Sequence, residues 1–378
     1  MKSANELLIT QLNERKAAGL LRETKRVDDL IDFCSNDYLG LARNQELAAV
    51  MAKDFSTWKQ KQAVGQAING STGSRLISGH SERVELFENQ CATMHHTDAA
   101  LLFSSGYEAN LGLISAVAQK EHVIFCDKLL HASLIDGLRL SAAERRIFKH
   151  NDLDDLVNLL EQYPASTTKW VVVESIYSMD GDMAPLTKLI ALREKYSFEL
   201  IVDEAHAGGL YGPQGAGLGA AYPEIFARVV TFGKAWGNAG AVVLGSDILK
   251  QYLINFARPF IYSTAPTPEH IQHLLTVMQF VQQADHERQR LQNNIHYFRS
   301  NIESNYWGPS KTAIQTFFVT GNEAVRAKAA KAQKAGFAVK PIVYPTVAKG
   351  KERIRITLTS QTKEADMLAL IQNLESNA

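Results

Sequence analysis

Short apolar segments alternate with helix-like segments through most of the chain, and this alternation restricts the possible folds more than any other feature. The segments KWVVVE (169–174) and FELIVD (198–203) are continuously apolar at their centres, which is typical of strands buried on both faces of a sheet. Helix-like segments separate most of these strands, and this order favours parallel strands joined by helices. The sequence therefore predicts an α/β fold with a large, mostly parallel sheet.

Three regions follow from the distribution of these segments along the 378 residues. Residues 1–45 are predicted to form an N-terminal helix over 3–22 and a short strand, which pack with the smaller domain. Residues 46–270 are predicted to form the large α/β domain. Residues 271–378 are predicted to contain most of a long connecting helical stretch, 268–305, and a small α+β C-terminal domain.

Charge and cysteine content argue against several classes of protein. Forty basic residues balance 40 acidic residues, so no basic surface for nucleic acid is expected. The N-terminus lacks the apolar core of a signal peptide and no apolar run is long enough to span a bilayer, so we expect a cytoplasmic protein without membrane association. Cys34, Cys91 and Cys126 are far apart and form no CxxC pair, so neither a disulfide framework nor a metal site is expected.

Reactive side chains follow the predicted strands. Asp203 ends the strand ELIVD, His206 follows it, and Lys234 lies between glycines after the next strand. The carboxyl ends of parallel strands meet at one edge of a sheet, where ligands of such folds usually bind. A buried carboxylate is costly unless a positive charge meets it. The residues alone leave two interpretations open, a plain ion pair between Asp203 and Lys234 or a cofactor site.

The cofactor interpretation is specific in its chemistry. A lysine amine can form a Schiff base with the aldehyde of pyridoxal 5'-phosphate (PLP), while a carboxylate meets the protonated nitrogen of the pyridine ring. The segment SSGYEAN (104–110) offers hydroxyl groups and a helix N-terminus for the phosphate. The segment DEAH (203–206) superficially matches a helicase motif, but the chain has no GxxxxGK[ST] loop, and the absence of GxSxG argues against a nucleophile-elbow hydrolase.

A series of ordered motifs resembles the α-oxoamine synthases, the fold-type I PLP-dependent transferases that condense an amino acid with an acyl-CoA and release carbon dioxide. The motifs run from SNDYLGL (35–41) through GSTGSRLISG, LLFSSGYEANLG, KLLHASLIDG, ESIYSMDGDMAPL, VDEAHAGGLYGPQGAG and TFGKAWGNAGA to YSTAP and YPTVAKGKERIRITLT. The resemblance implies a large, mostly parallel-sheet domain with a smaller α+β C-terminal domain, PLP as cofactor, and a homodimer with shared active sites.

The resemblance also implies roles for the residues that match the cofactor site of the family. Lys234 would carry PLP as a Schiff base, Asp203 would face the ring nitrogen, and His131 would stack on the ring and assist acid–base steps. These three would be the catalytic residues. The remaining matches would hydrogen-bond the ring or hold the phosphate, and they are His206, Ser178, Gly106, Tyr107, Thr231 and Thr264. Thr264 would reach the phosphate from the neighbouring subunit.

Four further residues match the substrate site of the family. Asn36 and Arg355 would bind the carboxylate of the amino acid, and Arg22 and Thr346 would contact the acyl substrate. The pieces PTV and ITLT favour the biotin-pathway member of the family, which joins L-alanine to pimeloyl-CoA or a pimeloyl-carrier protein. The alternative is a sister activity: serine palmitoyltransferase, glycine C-acetyltransferase or 5-aminolevulinate synthase.

Two positions depart from the pattern of the family. Some biotin-pathway members carry an arginine three residues before the threonine of PTV, a suitable partner for the far carboxylate of a pimeloyl chain, and Val343 stands there in this chain. Arg75 lies in a glycine loop that often holds only small residues or histidine. Arg22 and Arg75 are therefore the candidate cations for that carboxylate.

Overall fold

The structure is a computed structural model that describes residues 3–376 apart from residues 25 and 28, and it divides the chain into two compact units. The larger unit contains Asn36–Gln292 and Thr359–Gln361, and the smaller contains Met1–Ser35, Asn293–Leu358 and Thr362–Ala378. The divisions fall after residues 35 and 292, whereas the sequence placed them after 45 and 270.

The strands among the described residues are numbered along the chain. They are β1 (Ile31–Asp32), β2 (Ala99–Phe103), β3 (Val123–Asp127), β4 (Glu144–Phe148), β5 (Lys169–Glu174), β6 (Glu199–Asp203), β7 (Ala227–Thr231), β8 (Ala241–Gly245), β9 (Ile314–Phe318), β10 (Phe337–Ala338), β11 (Lys340–Ile342) and β12 (Arg353–Thr357).

The α-helices are numbered in the same way. They are α1 (Ala4–Ala17), α2 (Gln45–Gln60), α3 (Glu82–Met94), α4 (Gly106–Val117), α5 (Ala132–Leu140), α6 (Leu153–Leu160), α7 (Leu186–Tyr196), α8 (Asp247–Phe256), α9 (Arg258–Ile261), α10 (Pro268–Gln283), α11 (Asp285–Ser300), α12 (Asn322–Lys334) and α13 (Glu364–Glu375). No helix of the described residues is both long and apolar enough to cross a membrane.

A seven-stranded sheet forms the centre of the larger unit, in the order β2-β8-β7-β6-β5-β3-β4. Strand β8 is antiparallel to both of its neighbours, and the other neighbouring pairs are parallel. Strands β2, β3 and β5 are buried along their whole length, as the continuous apolar segments predict. The predicted α/β fold with a mostly parallel sheet is confirmed, and the carboxyl ends of β3, β5, β6 and β7 share one edge.

The predicted long helical stretch over 268–305 is two helices, because α10 ends at Gln283 and α11 begins at Asp285. The guanidinium of Arg288 donates hydrogen bonds to the carbonyl oxygens of Val281 (2.8 Å) and Gln282 (3.3 Å). These carbonyls lie at the end of α10, where helix geometry leaves them without a partner of their own. A side chain from α11 therefore stabilises the break that the helical periodicity did not predict.

Helix α1 ends earlier than predicted, at Ala17, so Arg22 lies outside it. Gly19 has a left-handed φ of 65°, the N–H of Gly19 bonds the carbonyl of Lys16, and the N–H of Leu20 bonds the carbonyl of Arg15. This pair of bonds is a Schellman motif, which terminates helices at a glycine. Helix α1 has no buried residue, and the division of the chain groups it with the smaller unit.

The smaller unit contains an antiparallel sheet in the order β11-β12-β9 and a short parallel pair of β1 with β10. The pairing of β1 with β10 places the short N-terminal strand in the smaller unit. Apolar side chains of β9, β12, α12 and α13 are buried in this unit: Ile314, Phe317, Ile354, Ile356, Val325, Ala329, Met367 and Leu370.

Candidate active site

A cavity at the carboxyl edge of the seven-stranded sheet collects most of the residues that the sequence assigns to the cofactor. Its lining combines an amine, two carboxyl groups and two imidazoles. The predicted residues in the lining are Gly106, Tyr107, His131, Asp203, His206, Thr231 and Lys234. The residues that sequence reasoning did not predict are Asn110, Ser133, Glu174, Ala205 and Val229.

A larger cavity of about 670 Å³ lies elsewhere in the larger unit, between the start of α7 and the loop 212–222. Its lining is mainly apolar and contains Lys188, His96 and Tyr222 as titratable groups, but no carboxylate. The chemistry expected of a PLP site, an amine together with a carboxylate, is therefore found only in the smaller of these two cavities.

Asp203 is the last residue of β6 and is 4% exposed. Its two carboxylate oxygens accept hydrogen bonds from the backbone N–H of Ala205 (2.8 Å) and from the side-chain amide of Asn110 (2.7 Å). Asn110 lies four residues after Gly106 in α4, so one turn of helix brings both to the same face. Both of these donors are neutral amides, and they fix the orientation of the carboxylate.

Asn110 also connects Asp203 to His131. The amide of Asn110 donates to the hydroxyl oxygen of Ser133 (3.0 Å), and this oxygen lies 2.8 Å from Nδ1 of His131. Nδ1 also accepts the backbone N–H of Ser133 (3.2 Å), because His131 is the N-cap of α5. These contacts place the ring proton of a neutral His131 on Nε2. Burial lowers the pKa of His131 below its usual value, and the charge of Lys234 acts in the same direction, while Asp203 opposes both.

Glu174 is the last residue of β5 and lies beside Asp203 in the register of the sheet. Its Oε1 accepts the backbone N–H of His131 at 2.5 Å, and the backbone N–H of Ser178 also donates to this carboxyl group. Burial raises the pKa of Glu174 well above its usual range, and the charge of Asp203 raises it further. Glu174 thus fixes the backbone of two residues that the sequence assigns to the site.

His206 is buried in the cavity wall and is held by Tyr38. The phenolic oxygen of Tyr38 lies 2.6 Å from Nδ1 of His206, and the same hydroxyl lies 3.3 Å from Oδ1 of Asn36. The half-buried Asn36 is therefore connected to the cavity through Tyr38, although its own side chain is not in the lining.

The start of α4 and the end of β7 form one corner of the cavity. A Cβ added at Gly106 would lie 3.4 Å from Oγ1 of Thr231, so the helix start and this hydroxyl are in close contact. Ser105 caps α4 by accepting the N–H of Glu108 (3.2 Å). The N–H groups of a helix start and a nearby hydroxyl suit an anion such as phosphate. Tyr107, the next residue, donates its hydroxyl proton to Asp136.

Lys234 lies in a compact turn between β7 and β8. The N–H of Gly237 bonds the carbonyl of Lys234 (2.9 Å), and the N–H of Asn238 bonds the carbonyl of Phe232 (2.8 Å). Gly237 has a φ of 61°, and a Cβ there would overlap the backbone of Ala42. The turn is further fixed by Trp236, which is fully buried. The glycines around Lys234 therefore serve a rigid turn that presents a half-buried amine to the cavity.

The remaining predicted site residues lie outside this lining. Ser178 is half-buried in the loop after β5, and Thr264 is exposed and forms an antiparallel bridge with Ser74. Three others belong to the smaller unit: Arg22, Thr346 and Arg355. Arg355 is buried in β12 and donates to Oγ1 of Thr357 (2.9 Å), whereas Arg22 and Thr346 are exposed.

Arg75 is buried and has a structural role instead of the substrate role considered for it. Its guanidinium contacts both carboxylate oxygens of Glu88, at 2.5 Å and 3.2 Å. Glu88 is itself fully buried, so this forked ion pair neutralises both groups inside the larger unit. The hypothesis that Arg75 serves the far carboxylate of an acyl chain is therefore not supported.

The cavity fits PLP by the chemistry of its donors. Lys234 supplies the amine, Asp203 a fixed carboxylate for the ring nitrogen, and Thr231 with the start of α4 a place for the phosphate. Among the residues that the structure describes, no group of histidine, cysteine and acidic side chains could hold a metal ion.

Comparison with known proteins agrees with this chemistry. The sequence profile of the family described as aminotransferase class I and II matches residues 28–374. The 8-amino-7-oxononanoate synthase of Herminiimonas arsenicoxydans is 35% identical over 393 residues, covering 98% of this chain and 99% of that protein.

Solved structures give the same result. A serine palmitoyltransferase of S. paucimobilis, solved with PLP and myriocin bound, has a TM-score of 0.86 and 25% identity, covering 98% of this chain and 96% of that one. The 8-amino-7-oxononanoate synthase of Francisella tularensis has a TM-score of 0.76 and 28% identity, covering 92% and 98%. The chain therefore belongs to the aminotransferase class I and II family and, within it, to the α-oxoamine synthases, which are PLP-dependent acyltransferases.

Proposed function

We propose that the enzyme condenses L-alanine with pimeloyl-CoA, or with a pimeloyl-carrier protein, to form 8-amino-7-oxononanoate in biotin biosynthesis. The observation that carries this proposal is the 35% identity to an 8-amino-7-oxononanoate synthase over nearly the full length of both chains. The reaction joins the α-carbon of alanine to the acyl carbonyl carbon, releases the thiol of the carrier, and loses the alanine carboxylate as carbon dioxide. The proposed location is the cytoplasm.

The cofactor, when bound, supplies an electron sink for the negative charge that develops at the α-carbon of the amino acid. We assign Lys234 as the residue that holds it covalently and moves the α-proton after its amine is released. Asp203, oriented by Asn110 and Ala205, would face the ring nitrogen and favour its protonated form. His131 would stack on the ring, and its lowered pKa leaves the imidazole neutral, with its Nε2–H available as a hydrogen-bond donor.

The other predicted residues are assigned to the phosphate, the ring or one of the two substrates. Gly106, Tyr107 and Thr231 hold the phosphate, and His206 and Ser178 hydrogen-bond the ring. Asn36 and Arg355 bind the carboxylate of the amino acid, for which a guanidinium fork is well suited. Arg22 and Thr346 contact the acyl substrate, and Arg22 remains the candidate cation for the far carboxylate because Arg75 is paired with Glu88.

We also propose a homodimer in which Thr264 reaches the phosphate site of the neighbouring subunit. The surface around Thr264 supports this proposal, because large apolar side chains are exposed there: Leu76 is 51% exposed, Ile77 84% and Tyr262 70%. The bridge between Ser74 and Thr264 joins the two loops that carry them. Apolar side chains exposed together in this way are typical of a protein interface.

A substrate screen tests the proposed activity. Purified enzyme loaded with PLP is assayed with alanine, serine and glycine in turn, each with pimeloyl-CoA, acetyl-CoA, succinyl-CoA and palmitoyl-CoA, and the free thiol and the carbon dioxide are both measured. We expect the highest kcat/KM for alanine with pimeloyl-CoA. A preference for serine with palmitoyl-CoA would contradict the biotin assignment.

Serine palmitoyltransferase is the second candidate, since the TM-score to such an enzyme, 0.86, exceeds the 0.76 found for an 8-amino-7-oxononanoate synthase. The variant Arg22→Ala separates the two candidates further. Loss of a charged partner for a buried carboxylate costs about 1.5 to 3 kcal/mol, so the variant should bind pimeloyl-CoA roughly ten- to a hundredfold more weakly. An uncharged acyl-CoA of similar length should bind almost unchanged.

A further inference from the structure

A cluster of charged side chains lies at and just after the carboxyl ends of β3, β4 and β5 and is not part of the lining of the cofactor cavity. His150, in the loop after β4, lies between two carboxylates. Its Nδ1 is 2.9 Å from Oδ1 of Asp127, and its Nε2 is 2.6 Å from Oδ2 of Asp182. The ring of Tyr177 packs edge-on against the imidazole, with 4.4 Å between the ring centroids.

Both nitrogens of His150 must carry a proton in order to donate to the two carboxylates, so the ring is a cation here. Burial acts against this charge, but the hydrogen bonds and charges of Asp127 and Asp182 outweigh it and raise the pKa of His150 to about 10. The pKa of Asp127 is lowered, although burial alone would raise it, because His150 and two backbone N–H groups donate to it. The imidazolium is therefore present throughout the neutral range.

The two carboxylates belong to the two loops that carry His131 and Ser178. Asp127 ends β3, four residues before His131, and its Oδ1 also accepts the N–H of Leu129 (2.8 Å). Asp182 closes the loop after β5, since the N–H of Tyr177 bonds the carbonyl of Asp182 (2.9 Å). His150 therefore joins these loops by a charged bridge.

Asn151 strengthens the bridge. Its backbone N–H donates to Oδ2 of Asp127 (2.9 Å), and its side-chain amide donates to Oδ2 of Asp182 (2.7 Å). Asn151 has a φ of 53°, a left-handed conformation that non-glycine residues adopt at a cost. This conformation lets both donors of one residue reach the same two carboxylates that His150 contacts.

We propose that His150 is a positioning residue for the cofactor site, acting through Asp127 and Asp182 on the loops of His131 and Ser178. The inference rests on the proposed assignment of these two residues to PLP. His150 does not line the cavity, so its effect is on the placement of groups that do. Small displacements matter for such groups, since a misplacement of about 1 Å can reduce a rate by about a hundredfold.

The test compares His150→Gln with Lys149→Ala, a matched change in the adjacent residue, whose exposed amine pairs with Asp155 at 3.5 Å. Glutamine fills a similar volume but is neutral, and both of its N–H groups are on one nitrogen, whereas the imidazolium has one on each of its two ring nitrogens. Holoenzyme of each variant is examined for the visible circular dichroism per bound PLP, for kcat and KM per PLP-loaded site, and for the melting temperature.

We expect His150→Gln to reduce the dichroic signal per bound PLP and to lower kcat about tenfold per loaded site, a loss well within the range of misplaced catalytic groups. Lys149→Ala should leave both unchanged. Asp182→Asn, which keeps the shape of the side chain and removes one charge, is the second variant if His150→Gln does not fold. It should change the signal and kcat in the same direction.

Two results would overturn the inference, and they are distinguishable. If variants of His150 or Asp182 keep the wild-type dichroism and kcat per loaded site, whatever their melting temperature, the cluster only stabilises the fold. If the wild-type protein itself shows no borohydride-reducible link to PLP, the proposed function fails and the inference fails with it.

Discussion

Two buried carboxylates of the larger unit, Glu88 and Asp203, show how differently the same group can be held. Glu88 contacts two cations, the guanidinium of Arg75 and the amine of Lys250 (2.9 Å), and also accepts the N–H of Leu102 (2.8 Å). Asp203 accepts hydrogen bonds from neutral donors, Asn110 and Ala205, and faces a cavity.

The difference separates a structural carboxylate from a functional one. A buried carboxylate next to cations has its charge neutralised within the fold, and its loss mainly affects stability. A buried carboxylate oriented by neutral donors has no counter-charge among those donors, so it suits a cation that binds in the cavity. The protonated ring nitrogen of PLP is such a cation, and the predictions below test whether the two carboxylates differ in this way.

Lys234→Ala should have the largest effect. The variant removes the only lysine amine that lines the cavity among the described residues, so both the covalent link to PLP and turnover should be lost while the fold remains. Borohydride reduction followed by mass spectrometry of the peptides measures the link, and circular dichroism in the far ultraviolet checks the fold. Wild-type turnover with a reducible link at another residue would contradict the assignment.

Asp203→Asn should retain most of the cofactor and lose catalysis. Without the carboxylate the pKa of the ring nitrogen falls, and each pKa unit is worth about 1.4 kcal/mol, or about tenfold in rate. A fall of about three units therefore predicts a loss of roughly a thousandfold in kcat. Bound PLP is measured by absorbance and kcat by release of the free thiol. Near-normal turnover would show that Asp203 is not the partner of the ring.

Glu88→Gln should give the opposite pattern. Breaking a buried ion pair by removing one charge costs about 3 to 5 kcal/mol of stability, because the partner guanidinium stays buried without its counter-charge. Urea unfolding measures this loss. The kcat per PLP-loaded site should match the wild type at a temperature where the variant is folded. A selective loss of kcat with normal stability would remove the distinction between Glu88 and Asp203.

The pH dependence of stability should report the charge of His150. The pKa of His150 is raised from 6.5 to about 10, so its contribution is complete below about pH 6.5 and is lost as the pH rises toward 10. The difference in free energy of unfolding between wild type and His150→Gln should therefore shrink across this range. Urea titrations at several pH values measure it, and a constant difference would mean that His150 is not charged by its two carboxylates.

The sequence predicts the frame of the site because strand ends are local features. The strands that end at Asp203 and Thr231 contain the apolar runs LIV (200–202) and VV (229–230), and Asp203 and Thr231 directly follow these runs. Glu174 carried the same signal, since it ends the segment WVVVE, and it could have been predicted by the argument used for Asp203. Asn110 could have been predicted from its spacing of one helical turn after Gly106.

Other features depend on contacts between distant parts of the chain. Nothing in the glycine loop around Arg75 indicates that its partner is Glu88 in α3, and the sequence therefore left a substrate role open. The bridge formed by His150 joins the end of β3 to the loop after β5 from the loop after β4, and no single segment of the sequence reveals this contact. The early end of α1 had a local signal in Gly19, which the prediction of a helix over 3–22 did not use.

The most direct test of the central claim is the protonation of the ring nitrogen in holoenzyme loaded with ¹⁵N-labelled PLP, measured by nitrogen NMR. Asp203, held by neutral donors, should keep this nitrogen protonated in the wild type at pH 8, and Asp203→Asn should move its chemical shift to that of the neutral ring. A neutral nitrogen in the wild type, or an identical shift in both proteins, would contradict the account.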